Sequence, residues 1–213
     1  MSISHLVSIK RRFLRSVNIV KDHDDSAGLA GYVVTPLAQQ ALDLISSSFS
    51  ASSDRAFTIT GPYGTGKSSF ALFLYYLLSS SSHDAWKKLR EANKDLAEAL
   101  HKTVFGKKDN ESGFVVLPIT SRRAPIAILL SEALEDAPPA LKRSLLPAIE
   151  GLRDCSDSKT AVRLVAQAAK TVVDKGYKGL FFIFDEFGKV FEEAYYNRKG
   201  SDIFVLQELA EAA

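Results

Sequence analysis

Cysteine is almost absent from this chain of 213 residues, which contains only Cys155. A single thiol excludes an intramolecular disulfide, and nothing else indicates an oxidising compartment, so we expect a cytoplasmic protein. Long apolar runs are also missing, since no stretch approaches the roughly 20 residues that a membrane-spanning helix needs. The basic N-terminus lacks the apolar segment and cleavage site of a secretory signal. The sequence therefore predicts neither membrane insertion nor export.

The chain also has no strong charge of one sign. It has 27 lysines and arginines and 25 acidic residues, so its formal net charge at pH 7 is +2. This small basic excess neither requires nor excludes a nucleic-acid partner. The composition, 46% hydrophobic and 24% charged, is ordinary for a soluble globular protein. One or two domains are expected from the length.

What the sequence does contain is a glycine-rich motif, G-P-Y-G-T-G-K-S at residues 61–68, which matches G-x-x-x-x-G-K-[ST]. At average residue usage, a chance match in a chain of this length has a probability of roughly 1%. Glycines let successive backbone N–H groups surround a phosphate, Lys67 reaches the β and γ oxygens, and the Ser68 hydroxyl ligates Mg²⁺. A β-favouring run at 57–60 and an apolar stretch at 68–78 predict a strand before the loop and a helix after it. The predicted nucleotide-binding residues are Gly61, Pro62, Tyr63, Gly64, Thr65, Gly66, Lys67, Ser68 and Ser69.

A second informative pattern is an apolar run at 179–184 that leads into Asp185 and Glu186. The run predicts a strand buried on both faces. Unpaired carboxylates at its end would be costly in the interior, so they should meet solvent, a cation or a hydrogen-bond donor. Neighbouring strand residues point to opposite sides, so the two acids should have different roles. We predict that Asp185 and Ser68 are the metal ligands, and that Glu186 and Lys67 are the catalytic residues.

The remaining segments predict a chain in which helices and strands alternate, an α/β protein with a parallel sheet. Residues 1–35 form a lead-in segment, and residues 36–213 form the nucleotide-binding core. Thr35 and Pro36 mark the start of a helix. Further predictions are a short strand near 16–20, an exposed helical insertion around 83–112, a strand at 114–119 that ends before Arg122 and Arg123, a helix at 125–134, a helix at 141–152 interrupted by Pro147, and helices at 158–175, 187–196 and, capped by Asp202, 202–213.

With residues 61–68 and 181–186 in hand, the chain resembles ATPases of the additional-strand, catalytic-glutamate division of P-loop proteins, which includes the AAA+ family. Residues 60–72 and 184–189 are also similar to large AAA-type ATPases of bacterial defence loci, of which this chain would be the N-terminal part. The resemblance implies a three-layer P-loop core, ATP and Mg²⁺ as ligands, and the roles given above for Lys67, Ser68, Asp185 and Glu186 as parts of Walker A and Walker B motifs.

The same resemblance implies a further core strand with a polar sensor residue, and nothing after Glu186 reads as that strand. We therefore expect a sheet that is incomplete at the C-terminus, in a fragment that on its own hydrolyses little ATP. An arginine from a neighbouring subunit is the usual missing part of such sites, so a homo-oligomer or a larger defence-type complex is the expected partner. Arg122 and Arg123 are candidates for that role.

Other functions remain open at this point. Residues 185–188 also fit the D-x-x-G pattern of GTPases, but the guanine-reading N-K-x-D motif is missing, because Asp95 follows Asn93 and Lys94 one place early. A small-molecule kinase shares the loop but usually lacks the Asp-Glu pair. The main alternative is a nucleotide-operated switch or scaffold with little or no turnover. The predicted function is an ATPase domain that drives a conformational or remodelling step.

Overall fold

The computed structural model describes residues 17–23, 26–52, 54–106, 112–196 and 204–212. Within these ranges helices dominate, and two short strands pair. The helices are α1 (Ile19–Asp22), a 3₁₀ helix (Ser26–Leu29), α2 (Pro36–Ala51), α3 (Lys67–Ser79), α4 (Ala85–Ala92), α5 (Lys94–Phe105), α6 (Ile126–Glu135), α7 (Pro139–Arg153), α8 (Ser158–Asp174), α9 (Gly188–Tyr196) and α10 (Phe204–Ala212). The strands are β1 (Val115–Thr120) and β2 (Leu180–Asp185). None of the described helices is both long and apolar enough to span a membrane.

Strands β1 and β2 are parallel, in a register that runs from Val115 opposite Leu180 to Thr120 opposite Asp185. Parallel neighbours need a long crossover connection, and helices α6, α7 and α8 supply it. The carboxyl ends of the two strands therefore meet at one edge of the sheet. The prediction of an α/β chain with parallel strands is confirmed, and the strand predicted at 114–119 is β1, displaced by one residue.

The two faces of this sheet pack against different helices. Val116 and Ile183 belong to a buried cluster with helices α2 to α5, which we call the loop-side core. Val115, Leu117 and Ile119 belong to a second cluster with helices α6 to α8, which we call the crossover core. This division follows from the alternation of side chains along a strand. Helices therefore cover both faces of the sheet.

Helix α2 begins where the sequence predicts. The Thr35 hydroxyl accepts a hydrogen bond from the Ala38 backbone N–H at 3.2 Å, and Pro36 lies in the first turn, where its missing N–H costs nothing. Such a cap stabilises a helix by about 1 kcal/mol. The buried face of α2, with Leu42 and Ile45, packs into the loop-side core. This helix also anchors the segment before the glycine-rich loop.

Helices α4 and α5 occupy the region that the sequence predicts as an exposed insertion. The helices are confirmed, but the prediction that they are exposed is wrong for one face of each. Trp86, Leu89 and Leu100 are completely buried in the loop-side core. The Trp86 indole N–H donates to the Ser80 carbonyl at 2.8 Å. Both helices are amphipathic, so their charged residues occupy the solvent side while the apolar side closes the core.

Residues 57–60 form no strand, and the sequence prediction of one is wrong. A strand requires a hydrogen-bonded neighbour, and none of the described residues pairs with this segment. The segment is attached to α2 instead. The Phe57 ring lies edge-on to the Phe49 ring, with 6.3 Å between the ring centroids. The Arg55 guanidinium donates to the carbonyls of Ser48 and Ser52, both at 2.9 Å. Residues 58–60 are exposed.

Strand β2 is confirmed, but the prediction that it is buried on both faces is wrong. Only Ile183 in this strand is buried, and the other residues are partly exposed. One edge of β2 pairs with β1, whereas no described residue pairs with the other edge. An apolar sequence shows that a strand can be buried, but the elements that pack against the strand determine how much of its surface is buried.

Three other predicted helices are present in the structure. The helices at 125–134, 158–175 and 187–196 are confirmed as α6, α8 and α9. The strand predicted near 16–20 is wrong, because its described part enters helix α1 after Asn18, which caps that helix by accepting from the Lys21 N–H at 3.1 Å. Pro147 lies inside a continuous α7 rather than interrupting it. Asp202, the predicted cap of the last helix, lies outside the described residues.

Tyr32 makes folding stability depend on pH in the alkaline range. Its ring packs against Phe73 with 4.7 Å between centroids, and burial raises the pKa of its hydroxyl from 10.0 to about 12. The unfolded chain loses this proton near pH 10, and the folded chain keeps it to about pH 12. The contribution of the protonated Tyr32 hydroxyl to the free energy of unfolding is therefore complete below pH 10.0 and is lost as the pH rises to about 12. We expect Tyr32→Phe to lose less stability than the wild type between about pH 9 and about pH 11, as measured by urea unfolding. Equal losses in the two proteins would contradict this expectation.

Candidate functional site

The glycine-rich loop connects the exposed segment at 54–60 to helix α3. Its backbone turns at Gly64 and Gly66, whose φ angles are 80° and 87°. Residues with a Cβ are strained in this left-handed region, whereas glycine adopts it readily. A Cβ at either position would meet no atom within 4 Å, so glycine is required here by backbone conformation rather than by crowding. The helix that the sequence predicts after the loop is confirmed as α3.

The start of α3 presents backbone donors that no described residue uses. The N–H groups from Gly66 to Ser69 donate to no acceptor in the described part of the chain. The first N–H groups of any helix lack partners within the helix, and the helix dipole adds a partial positive charge there. A helix N-terminus of this kind, preceded by glycines that allow close approach, is suited to bind a phosphate group.

Lys67, the first residue of α3, folds back over the loop. Its ammonium donates to the carbonyls of Gly61 at 2.8 Å and Pro62 at 2.7 Å. The Thr65 hydroxyl donates to the same Pro62 carbonyl at 2.9 Å. These bonds close the loop on itself and hold the positive charge of Lys67 against the loop carbonyls. The loop and the first turn of α3 thus supply both a positive charge and backbone donors of the kind that a phosphate needs.

The variable positions of the loop contribute through their backbone. Tyr63 is 92% exposed, and Pro62 is exposed as well, so neither side chain packs against the protein. Ser68 and Ser69 are partly buried at the first turn of α3. The predicted binding set thus divides into exposed backbone positions at 61–66 and side chains at 67–69 that face the protein more closely.

Asp185 is the last residue of β2, and alternation places its side chain on the same face of the sheet as Ile183. That face packs against the loop-side core, to which α3 belongs. One Asp185 carboxylate oxygen accepts from the Glu186 backbone N–H at 3.0 Å. The predicted metal ligand therefore lies on the side of the sheet that carries Ser68.

Glu186 has an unusual backbone conformation, and its side chain forms an ion pair. Its φ angle is 56°, the only positive value at a described residue other than glycine. Its carboxylate is paired with the Lys189 ammonium one helical turn further on. A left-handed residue with a Cβ carries a conformational strain of roughly 1–2 kcal/mol. Strain of this kind at a polar residue is typical of functional positions.

The contacts of α3 relate the loop to the acidic pair. Helix α3 packs against both strands, and the Leu78 carbonyl at its C-terminal end accepts from the Phe114 N–H just before β1 at 2.9 Å. The helix therefore ends where β1 begins. Its 13 residues span about 20 Å, close to the length of the 6-residue strand. The N-terminus of α3 accordingly lies toward the carboxyl ends of the strands. No hydrogen bond or ion pair among the described residues joins residues 61–68 directly to Asp185 or Glu186.

Arg122 and Arg123 follow β1 at the same edge but are engaged within the chain. The Arg122 guanidinium pairs with Glu132 at 2.5 Å. Arg123 donates from two nitrogens to one oxygen of Glu192, at 3.0 Å and 2.9 Å, and lies over the Tyr196 ring at 5.7 Å. These pairs direct both arginines toward helices α6 and α9.

Two polar groups at this edge were given no role from sequence. The hydroxyl oxygens of Thr120 and Ser121 are buried and lack a hydrogen-bond partner in the described structure. The only sequence signal was the presence of two hydroxyl residues directly after an apolar strand, which is common in loops. Lys189 was also missed as a partner of Glu186, although its position one turn along α9 is compatible with such a pair.

The chemistry of the site suits a nucleotide that brings its own phosphate oxygens to the metal. The described residues include no group of three or more histidine, cysteine, aspartate or glutamate side chains that could hold a metal alone. Mg²⁺ usually takes only one or two protein oxygens and completes its shell with water and phosphate. Ser68 and Asp185 are a donor set of that kind.

A separate cavity of about 600 Å³ lies between α4 and α5 and includes none of the loop residues. Its lining includes Arg90, Glu98, His101 and Lys102, which mix both signs of charge. Residues 61–66 of the glycine-rich loop are themselves exposed. Comparisons of the chain with protein-family models, curated proteins and solved structures find no match.

Proposed function

We propose that this chain is an ATP-binding domain of a P-loop ATPase of the catalytic-glutamate division, built on a three-layer core. It hydrolyses ATP with Mg²⁺ to drive a conformational or remodelling step. The observation that carries the proposal is the loop itself. Two left-handed glycines precede a helix whose first N–H groups have no acceptor in the described structure, and the ammonium of Lys67 is bonded to carbonyls of the same loop. Few ligands other than a phosphate match both the donors and the charge.

The residues of the site divide the chemistry between them. Lys67 exchanges the Gly61 and Pro62 carbonyls for phosphate oxygens, and the N–H groups of the loop hold the same phosphate. Ser68 and Asp185 hold the metal, and Glu186 orients the attacking water and accepts its proton. A bound Mg²⁺ would neutralise charge on the phosphate oxygens. Catalysis in such a site is mostly positioning and electrostatic stabilisation.

A further arginine is expected to come from outside this chain. Arg122 and Arg123 are held by Glu132 and Glu192, so neither extends freely toward the loop. In phosphoryl transfer an arginine supplied by a second protein often stabilises the transition state. We propose that the working ATPase is an oligomer, or a larger complex, in which a neighbour provides this group.

A nucleotide-operated switch with little turnover is the second candidate. The observation that favours it is that both reactive side chains are engaged, Lys67 with loop carbonyls and Glu186 with Lys189. A protein that rests in this state binds nucleotide through the loop but turns it over only when Glu186 is released. Binding is common to both candidates, whereas the role of Glu186 distinguishes them.

The proposal is tested by replacing the loop lysine. We expect Lys67→Ala to weaken binding of Mg-ATP by roughly 10-fold to 100-fold, because hydrogen bonds to a charged group contribute about 1.5–3 kcal/mol. The measurement is an equilibrium titration with a fluorescent ATP analogue. The matched control is Lys170→Ala, which removes an exposed lysine on α8 and should bind as the wild type does. Unchanged affinity in Lys67→Ala, or no binding by the wild type, would refute the proposal.

A further inference from the structure

At the end of β1 lie two hydroxyl groups for which no described residue provides a hydrogen-bond partner. The Oγ1 atom of Thr120 and the Oγ atom of Ser121 are inaccessible to solvent and form no hydrogen bond in the described structure. Buried polar atoms in proteins nearly always have a partner, so each exception requires an explanation. A buried hydroxyl without a described partner lies here at the carboxyl edge of the sheet, beside the candidate site. This indicates that it gains its hydrogen-bond partner when a ligand binds.

The two hydroxyls lie on opposite faces of the sheet. Thr120 is the register partner of Asp185, and strands lie about 4.8 Å apart, so their side chains are neighbours on one face. Val116 and Ile183 on that face pack into the loop-side core, which contains α3. Ser121 follows on the other face, and its backbone N–H donates to the Asp185 carbonyl at 2.9 Å. Only Thr120 therefore shares a side of the sheet with the Asp185 carboxylate.

We propose that Thr120 is a positioning residue for Asp185, an inference that rests on the function proposed above. When Mg-ATP is bound, the Thr120 hydroxyl donates to the Asp185 carboxylate and fixes the orientation in which that carboxylate meets the metal. An ionised carboxylate has about four lone-pair sites, so it accepts from Thr120 while it keeps its bond from the Glu186 N–H. Partners of this kind orient metal ligands, and their loss typically lowers metal affinity by about 10-fold to 100-fold.

The test uses Thr120→Val, which keeps the shape of the side chain and removes the hydroxyl. Without ligand, this variant should unfold at the same urea concentration as the wild type or a higher one, because an unmet polar group has been removed. With ATP present, the Mg²⁺ concentration for half-maximal binding should rise by about 10-fold. Thr120→Ser restores a hydroxyl and should recover most of the Mg²⁺ affinity.

The matched control is Ser121→Ala, which removes the other unmet hydroxyl from the opposite face. It should resemble Thr120→Val without ligand and resemble the wild type in its Mg²⁺ dependence. The inference is overturned if Thr120→Val has the Mg²⁺ dependence of the wild type, if Ser121→Ala shows the same loss, or if Thr120→Val is clearly less stable without ligand. In each of these cases a wild type that binds Mg-ATP through Lys67 leaves the proposed function intact. A wild type that binds no ATP overturns both.

Discussion

Glu186→Gln is expected to lower the rate of ATP hydrolysis by about 100-fold or more while leaving ATP affinity within about twofold. A general base contributes roughly 10² to 10⁴ in rate, and glutamine has the size of glutamate but accepts no proton at neutral pH. Binding depends on the loop and α3, which the substitution does not touch. The measurements are phosphate release under saturating ATP and a titration of bound nucleotide.

The control for this experiment is Lys189→Met, because Glu186→Gln also breaks the ion pair with Lys189. Both members of that pair are about half exposed, at 49% for Glu186 and 47% for Lys189. A pair as exposed as this contributes about 0–1 kcal/mol, so Lys189→Met should change turnover by no more than about fivefold. If Glu186→Gln hydrolyses ATP at the wild-type rate, Glu186 is not the base. If the wild type binds ATP but hydrolyses none, the switch is the better description.

Gly113→Ala is expected to destabilise the protein by about 3 kcal/mol, the upper end of the cost of overpacking a core. A Cβ at this position would lie 2.2 Å from the Leu78 carbonyl oxygen and 2.7 Å from a carbon of the Phe105 ring. The backbone cannot move away easily, because the Gly113 carbonyl accepts from the Lys178 N–H at 3.0 Å. Urea unfolding measures the loss, which should appear as a lower midpoint with little change in slope.

Gly188→Ala provides the comparison for this substitution. A Cβ at Gly188 would meet nothing within 4 Å, and the residue begins helix α9. Alanine is a better helix former than glycine, so this variant should be as stable as the wild type or gain up to about 1 kcal/mol. Equal midpoints for the two alanine variants would show that the close approach at Gly113 is relieved at no cost.

The parts of the fold that the sequence predicts are those set by local chemistry. Helix α3 directly after the loop and the cap at Thr35 each depend on residues within a few positions. The parts it predicts wrongly depend on distant neighbours. Whether residues 57–60 become a strand depends on a hydrogen-bonding partner, and Arg55 fastens them to α2 instead. The apolar faces of α4 and α5 have a periodicity that fits burial or a surface helix equally well.

The candidate site divides in the same way. Lys67 and Ser68 were predicted from the spacing of the glycine-rich motif, and Asp185 and Glu186 from the apolar run that precedes them. Their roles stay predictions. The strained backbone of Glu186 and its ion pair with Lys189 were not predicted, since neither can be recognised from the order of residues alone. The unmet hydroxyl of Thr120 is visible only when every possible partner in three dimensions has been considered.

The residues of the proposed site belong to elements that pack into different apolar cores, and a ligand bound there would have a mechanical effect. Lys67 begins a helix of the loop-side core, whereas Phe187 and Val190, on either side of the Glu186 partner Lys189, pack into the crossover core. A ligand that contacts both Lys67 and Glu186 would link the two cores across the two described strands of the sheet. Its binding free energy then adds to the cohesion of the whole chain. Under the proposed function, loss of the γ-phosphate would remove that link between the two cores.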